Sequence, residues 1–344
     1  MLKTKFNTFY LKEFLLKALE KQHIVEPTEI QRRLIPSILI GKSVIGQSQT
    51  GTGKTLTYLL PIVDQLNAEL DSCQAIITAP TRELSDQIYK DLQSLLPEEH
   101  HYRVKKLVGG TDRKRMAEQL KTPPHVIIGT PGRISDHIRA GELNVFTAKT
   151  FVIDEADVML EMGFLHDVDF IASRMSHELQ MLVFSATIPE HLQPFLKKYM
   201  DNPKFVHVKE KQVAPTQIEH LLIPIRHREL HQLLIDITRV INPYLALVFA
   251  NTKSKVDELY EALIEAGYRV ERLHGGLTPR ERKQAMKRIE RLECEYIVAT
   301  DLASRGIDIK GIRHVINAEI PDDLDFFIHR IGRTGRAGID GQAI

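Results

Sequence analysis

Ser48-Gln49-Thr50-Gly51-Thr52-Gly53-Lys54-Thr55 is the stretch on which the reading of this chain turns. It follows a short apolar run, Val44-Ile45-Gly46, and leads into Leu56-Thr57-Tyr58-Leu59-Leu60. That order predicts a strand, a glycine-rich loop and a helix start, the setting a phosphate-binding loop requires. The glycines let successive backbone N–H groups turn inward, and the helix N-terminus adds a partial positive charge. In such a cradle Ser48, Gln49, Thr50, Gly51, Thr52 and Gly53 wrap the phosphates. Lys54 reaches the β- and γ-phosphates, and the Thr55 hydroxyl is placed to ligate Mg²⁺. The plainer reading, a Gly/Thr-rich surface turn, leaves the flanking strand and helix patterns unexplained. The usual motif opens with Gly or Ala where this chain has Ser48.

Around that loop the composition sets bounds. A chain of 344 residues exceeds one ordinary core, so two domains of about 150 residues are expected. A net charge of +1 excludes a uniformly basic nucleic-acid coat but not local basic clusters. Cys73 and Cys294 stand far apart, with no Cys-x-x-Cys pairing, which argues against a disulfide frame or a zinc site. No apolar run reaches the roughly eighteen residues of a membrane span. Met1-Leu2-Lys3-Thr4-Lys5 is not followed by the apolar core of a signal peptide. A cytoplasmic protein without membrane association is expected.

Taken in order, Leu11, Phe14, Leu15, Ala18 and Leu19 fall at helical spacing, and Pro27-Thr28 caps a second helix. Beyond the phosphate loop, Ala75–Thr78, Val126–Ile128, Phe151–Ile153 and Leu182–Phe184 read as buried parallel strands. Helical patterns from Glu83, Lys114, Ile134 and His166 accompany them. This alternation predicts a doubly wound α/β sheet with ligands at the carboxyl ends of its strands. Periodicity fades from Lys209 to Pro215, so the first domain is expected over residues 1–208, a linker over 209–216 and a second domain over 217–344. The second domain repeats the pattern with Leu221–Ile223, Ala246–Phe249, Tyr296–Val298 and Val315–Ile316. A helix there carries Val256, Leu259, Leu263 and Ala266 and stops at Gly267. It has no Gly-Lys-Thr, so it is not a second nucleotide cradle. Gly341-Gln342-Ala343-Ile344 reads as entering a strand, which predicts that the domain is cut short there.

Asp154-Glu155-Ala156-Asp157 follows the strand ending at Ile153. Carboxylates at a strand's carboxyl end, in a chain with a phosphate loop, suit the metal-and-water half of a nucleotidase site. Asp154 is placed to hold Mg²⁺, and Glu155 to polarise the attacking water. Helix-capping carboxylates are the plainer reading, and the pairing with Lys54-Thr55 disfavours it. His227 and His231 are spaced as a helical turn, but the intervening glutamate is misplaced for His-Glu-x-x-His and no third ligand stands near; a surface helix is expected.

Beyond these residues the chain resembles the DEAD-box ATP-dependent RNA helicases of helicase superfamily 2, in particular bacterial cold-shock-type members. The likeness runs from about Phe6 to the last residues. Pro80-Thr81-Arg82-Glu83-Leu84, Gly109-Gly110, Thr130-Pro131-Gly132-Arg133 and Ser185-Ala186-Thr187 stand in the family's order. They are followed by Ala299-Thr300-Asp301-Leu302-Ala303-Ser304-Arg305-Gly306-Ile307-Asp308 and His329-Arg330-Ile331-Gly332-Arg333-Thr334-Gly335-Arg336. The resemblance implies two tandem RecA-like α/β domains with parallel sheets flanked by helices. It assigns Gln31, whose amide matches the N6 and N7 edge of adenine, to base recognition, with Phe6 supporting that loop. Ile24, where the family usually has Phe, would pack on the base. Arg333 and Arg336 would be the arginine fingers that stabilise charge on the γ-phosphate, and Asp308 would accept from the ribose hydroxyls. Asp157, Ser185, Thr187 and His329 would couple the domains.

RNA would be held mainly through sugar and phosphate, hence with little sequence selectivity, its 2′-hydroxyls separating it from DNA. Pro80, Thr81, Arg82, Gly110, Thr130 and Arg133 would line one side of the strand, and Asn251, Gly276, Arg282, Thr300 and Arg305 the other. Arg280, Lys283, Lys287 and Arg288 add a basic face, and Pro279 stands where the family commonly has Gln. The implied enzyme is a monomeric core that uses ATP and Mg²⁺ on single-stranded RNA and short duplexes. Ribosome assembly, RNA turnover and cold-stress response follow by analogy, with their protein partners. Three rival readings stand beside it. A non-catalytic RNA clamp finds support only in Ser48 and His23-Ile24, against Lys54, Asp154, Glu155 and Arg336. A GTPase-like switch requires Asn-Lys-x-Asp, which is absent. A DNA translocase is separated by comparing RNA with matched DNA.

Overall fold

The computed structural model describes residues 5–49, 51–110, 112–208, 218–304, 312–321, 324–334 and 341–344. The chain divides into two units, Met1–Glu210 and Lys211–Ile344. The expected linker, 209–216, lies outside the described residues.

In the first unit the described strands are β1 (Val44–Gln47), β2 (Ala75–Thr78), β3 (Val104–Leu107), β4 (Val126–Gly129), β5 (Thr150–Asp154), β6 (Gln180–Ser185) and β7 (Lys204–His207). They form one parallel sheet in the order β3-β4-β2-β5-β6-β1-β7. Its helices are α1 (Glu13–Lys21), α2 (Glu29–Leu39), α3 (Lys54–Gln65), α4 (Arg82–Leu95), α5 (Arg113–Leu120), α6 (Pro131–Arg139), α7 (Ala156–Glu161), α8 (Leu165–Arg174) and α9 (Gln193–Tyr199).

Because side chains alternate across a strand, each interior strand feeds two cores, which is why these segments read as continuous apolar runs. Val44, Ile77, Ile128, Val152, Leu182 and Phe184 face one core with Leu15, Leu34 and Tyr58 of α1, α2 and α3. Ile45, Ile76, Ile127, Phe151, Ile153 and Val183 face the other with Ile134, Val168, Ile171 and Phe195 of α6, α8 and α9.

The second unit repeats the plan. Strands β8 (Ile218–His220), β9 (Ala246–Phe249), β10 (Val270–Leu273), β11 (Tyr296–Ala299), β12 (His314–Asn317) and β13 (Gly341–Ala343) pair in parallel in the order β10-β11-β9-β12-β13-β8. Its helices are α10 (Leu230–Ile241), α11 (Lys253–Glu265), α12 (Pro279–Glu290), α13 (Asp301–Ser304) and α14 (Leu324–Ile331). Gly267, at φ +90° just past α11, supplies the left-handed residue that stops it.

Two expectations are corrected. The strand expected at Leu221–Ile223 is observed at Ile218–His220, where it pairs in parallel with Gly341–Ala343 of β13. Leu222 is left 88% exposed. His227 sits in the turn before α10 rather than on a helix with His231. Among the described residues no three His, Cys, Asp or Glu side chains cluster as metal ligands, and no helix is long and apolar enough to cross a membrane.

Candidate functional site

At the carboxyl end of β1 the chain makes the loop that the sequence predicts. Gly51 and Gly53 take φ +82° and +88°, values open to glycine and strained for other residues. Ser48 is buried, and its Oγ lies 2.8 Å from Thr52 Oγ1, which in turn donates to the Gln49 carbonyl at 3.0 Å. The hydroxyl at the position usually held by Gly or Ala is thus absorbed inside the loop. Lys54 opens α3, and its buried ammonium donates to the Ser48 carbonyl at 2.8 Å, folding the side chain back over the cradle. Thr55 follows in the first turn of the same helix. Thr50 lies outside the described residues.

Two strands away, β5 delivers Asp154, 3% exposed, and the chain then turns through Glu155 at φ 55° to start α7. A non-glycine residue in the left-handed region costs of order 1 kcal/mol or more and concentrates at functional sites. Burial raises the Asp154 pKa from the usual carboxylate value. The Lys54 charge, the Tyr58 hydroxyl and the Glu155 N–H oppose that rise, and Asp157 adds to it. Tyr58 donates to Asp154 Oδ2 at 2.8 Å and the Glu155 N–H to Oδ1 at 3.0 Å. This donor set, a carboxylate with lone pairs to spare beside a threonine hydroxyl and a phosphate loop, fits a Mg²⁺–nucleotide.

Asp157, Ser185 and Thr187 come together beside it. Asp157 Oδ2 accepts from the Thr187 N–H at 2.9 Å and hydroxyl at 3.2 Å, and from the Ala186 N–H at 3.2 Å. Its own N–H donates to Ser185 Oγ at 3.0 Å. The Ser48 N–H donates to the Ser185 carbonyl at 3.0 Å, which ties this corner to the phosphate loop.

Gln31 lies in the first turn of α2, where Thr28 caps the helix. Its Oε1 accepts from the Thr28 N–H at 2.8 Å, and its Nε2 donates to the Gly53 carbonyl at 3.1 Å. Each end of the amide retains one further hydrogen-bonding position. This tie between cap and phosphate loop is absent from the sequence reading, and its signal is the Thr-x-x-Gln capping box. Phe6 is buried, 6.0 Å edge-on from Phe9. Ile24 is half-buried against the same core, its N–H on the Leu19 carbonyl at 2.9 Å.

The other expected residues of this unit occupy the carboxyl ends of β2, β3 and β4. Pro80 and Thr81 follow β2; Thr81 caps α4, its Oγ1 accepting from the Leu84 N–H at 3.2 Å, and Arg82 begins that helix. The Arg82 guanidinium lies over Gly109, where an added Cβ would meet Nη2 at 2.6 Å. Gly110, at φ +80°, follows β3, while Thr130 caps α6 and sets Arg133 in its first turn. Sheet order therefore sets the expected phosphate loop after β1, Ser185 at the end of β6 and the expected carboxylates at the end of β5, with the expected RNA-side residues after the adjoining β2, β4 and β3.

In the second unit Asn251 follows β9, Gly276 follows β10 and Thr300 follows β11, neighbouring strands of its sheet. The Gly276 N–H donates to His274 Nδ1 at 3.0 Å, and Arg282 of α12 donates to the Ala303 carbonyl at 3.0 Å. A residue to which sequence reading gave no role organises this edge. Arg330, 1% exposed, makes paired bonds to Asp301 at 2.5 and 2.6 Å. It also donates to the Glu319 carbonyl at 2.5 Å and to Asn251 Oδ1 at 2.7 Å, and stacks 5.1 Å from the Phe249 ring centre. A buried arginine needs such partners, but nothing in a lone His-Arg string announces them. His329 lies on α14 beside it, and Arg333 follows that helix with its N–H on the Arg330 carbonyl at 3.1 Å. Arg305, Asp308 and Arg336 lie outside the described residues.

Residues 28–195 match the family model for DEAD/DEAH box helicases, and residues 227–338 that for the helicase conserved C-terminal domain. The whole chain is 56% identical to the DEAD-box ATP-dependent RNA helicase CshB of Bacillus subtilis strain 168 and spans 79% of that protein. It is 42% identical to DEAD-box ATP-dependent RNA helicase CshA of Bacillus licheniformis, with 98% of this chain and 69% of that one covered. Among solved structures, Saccharomyces cerevisiae Dbp5 bound to RNA and ADP–BeF3 superposes with a TM-score of 0.87 at 29% identity, over 98% of this chain and 88% of Dbp5.

Proposed function

The chain belongs to the DEAD-box family of ATP-dependent RNA helicases, which are ATP-hydrolysing enzymes, and from that premise we propose that it works as an ATP-operated clamp on RNA. ATP lies in the phosphate loop of the first unit, with Lys54 on the β- and γ-phosphates and Gln31, Ile24 and the Phe6-supported segment at the base. Thr55 and Asp154 would hold Mg²⁺, which when bound neutralises phosphate charge. Glu155 polarises the attacking water, and Arg333 and Arg336 of the second unit stabilise charge on the γ-phosphate, with Asp308 on the ribose. Single-stranded RNA lies between Pro80, Thr81, Arg82, Gly110, Thr130 and Arg133 on one side and Asn251, Gly276, Arg282, Thr300 and Arg305 on the other. The two RecA-like domains within these units are taken as residues 1–208 and 217–344, with 209–216 as the linker. They close on RNA and ATP together through Asp157, Ser185, Thr187 and His329. Closure separates short duplexes locally, and hydrolysis to ADP and phosphate reopens the cleft. The setting is cytoplasmic and the core monomeric.

One observation carries the reading: one parallel sheet has the Gly53-Lys54-Thr55 loop after β1, Asp154 and Glu155 at the end of β5, and the residues we assign to RNA after the adjoining β2, β4 and β3. The two sets meet where β5 pairs with β2, within one sheet. RNA affinity measured without nucleotide, with ADP and with a non-hydrolysable ATP analogue tests the coupling. Tightening of about tenfold or more with the ATP analogue alone is expected; equal affinity in all three states contradicts the clamp.

A further inference from the structure

Tyr58 is fully buried, one turn into α3 beyond the phosphate loop. A buried phenol ordinarily spends its hydroxyl on a backbone carbonyl or a neutral side chain. Here the O–H donates to Asp154 Oδ2 at 2.8 Å, across from α3 to the end of β5. The ring is fixed by Phe184 of β6, its centre 5.3 Å away. Phe184 in turn lies against the bare Cα of Gly46, where an added Cβ would meet its ring at 2.8 Å. The hydroxyl is therefore held by a ring packed on Phe184, itself backed by Gly46, and donates to one carboxylate oxygen.

The other oxygen of Asp154 accepts the Glu155 N–H at 3.0 Å. An ionised carboxylate offers about four lone-pair positions, so these two bonds leave about two free, and they lock rotation of the group. Resting on the reading of Asp154 as a Mg²⁺-holding residue, we infer that Tyr58 is a positioning residue that sets Asp154 for the metal. In this role it acts through the carboxylate, and its hydroxyl also meets the Thr55 side chain. Outer hydrogen bonds to metal-holding groups typically contribute about 10–100-fold in metal affinity. The burial of Asp154 makes the bond matter more, since an unpaired buried carboxylate is costly.

The test removes one oxygen atom. Tyr58→Phe keeps the ring and its packing on Phe184, and Asp154→Asn serves as the reference. Binding of a fluorescent ADP analogue is titrated with Mg²⁺, and repeated in EDTA. Tyr58→Phe is expected to raise the half-saturating Mg²⁺ about tenfold or more with affinity in EDTA unchanged. An unchanged Mg²⁺ requirement in Tyr58→Phe, while Asp154→Asn shifts it, overturns the positioning role alone. No shift in Asp154→Asn removes the reading of Asp154 and the inference with it. Equal loss with and without Mg²⁺ in Tyr58→Phe assigns the hydroxyl to folding and also overturns the inference.

Discussion

Lys54 is held in waiting by its own loop. Its ammonium bonds the Ser48 carbonyl at 2.8 Å, a partner that a phosphate oxygen can replace with gain because the new bond is charge-assisted at both ends. Lys54→Ala removes that exchange and should lower ATP turnover by about a hundredfold or more; near-native turnover in a steady-state assay would contradict the assignment. Glu155 stands on a left-handed backbone at the start of α7, a position that directs its side chain at the expense of local strain. Glu155→Gln keeps size and backbone and removes the base. ATP-dependent RNA binding should survive while hydrolysis falls by about 10²–10⁴, and unchanged phosphate release would remove the water-activating role.

At the scale of elements, the junction between the phosphate loop and α3 depends on Gly53. Its φ of +88° is closed to ordinary side chains, and an added Cβ would lie 2.6 Å from Gln31 Nε2. Gly53→Ala should therefore destabilise the first unit by about 1–2 kcal/mol and break the Gln31 tie, read as a lower unfolding midpoint and weaker nucleotide binding together. In the second unit Arg330→Met leaves Asp301 without its cation. Asp301 is 21% exposed, so the loss is nearer that of an unsatisfied polar group, about 1–3 kcal/mol, and calorimetry should show that unit melting earlier. His125 gives a pH handle: burial lowers its pKa, the Arg103 charge adds to this, and its Nδ1 accepts the Arg103 N–H at 3.0 Å. The unfolded value is about 6.5 and the folded value lies below it. Its contribution is therefore complete above about pH 6.5 and is lost as pH falls through the folded pKa. His125→Asn, which can keep the acceptor, should flatten the acid side of a stability–pH curve.

What was legible in the sequence follows from burial. Strands β1, β2, β4, β5, β6, β9, β11 and β12, covered on both faces, stand out as apolar runs. The strands passed over or displaced, β3, β7, β10 and β8, are the four sheet edges. Val104-Lys105-Lys106-Leu107 and Val270-Glu271-Arg272-Leu273 carry charges at their centres, as edges that must avoid further pairing do. The candidate site was readable where backbone geometry demands a residue type, as at Gly53-Lys54-Thr55. Arg330 and Tyr58 were not, because their roles depend on partners 29 and 96 residues away.

For the whole molecule, the proposed function has the nucleotide's cradle in one unit and its arginine fingers in the other, so neither unit alone should complete the reaction. Arg336→Ala, and Arg333→Ala alongside it, should slow hydrolysis by about 10³ or more while nucleotide binding in the absence of RNA stays near native. Comparable loss of both, followed by fluorescence titration, would point to misfolding instead. The most direct measurement is ATP hydrolysis by this chain with no nucleic acid, with single-stranded RNA, and with DNA of the same sequence. Strong stimulation by RNA alone is expected. Hydrolysis indifferent to RNA, or driven equally by DNA, would contradict the proposed function.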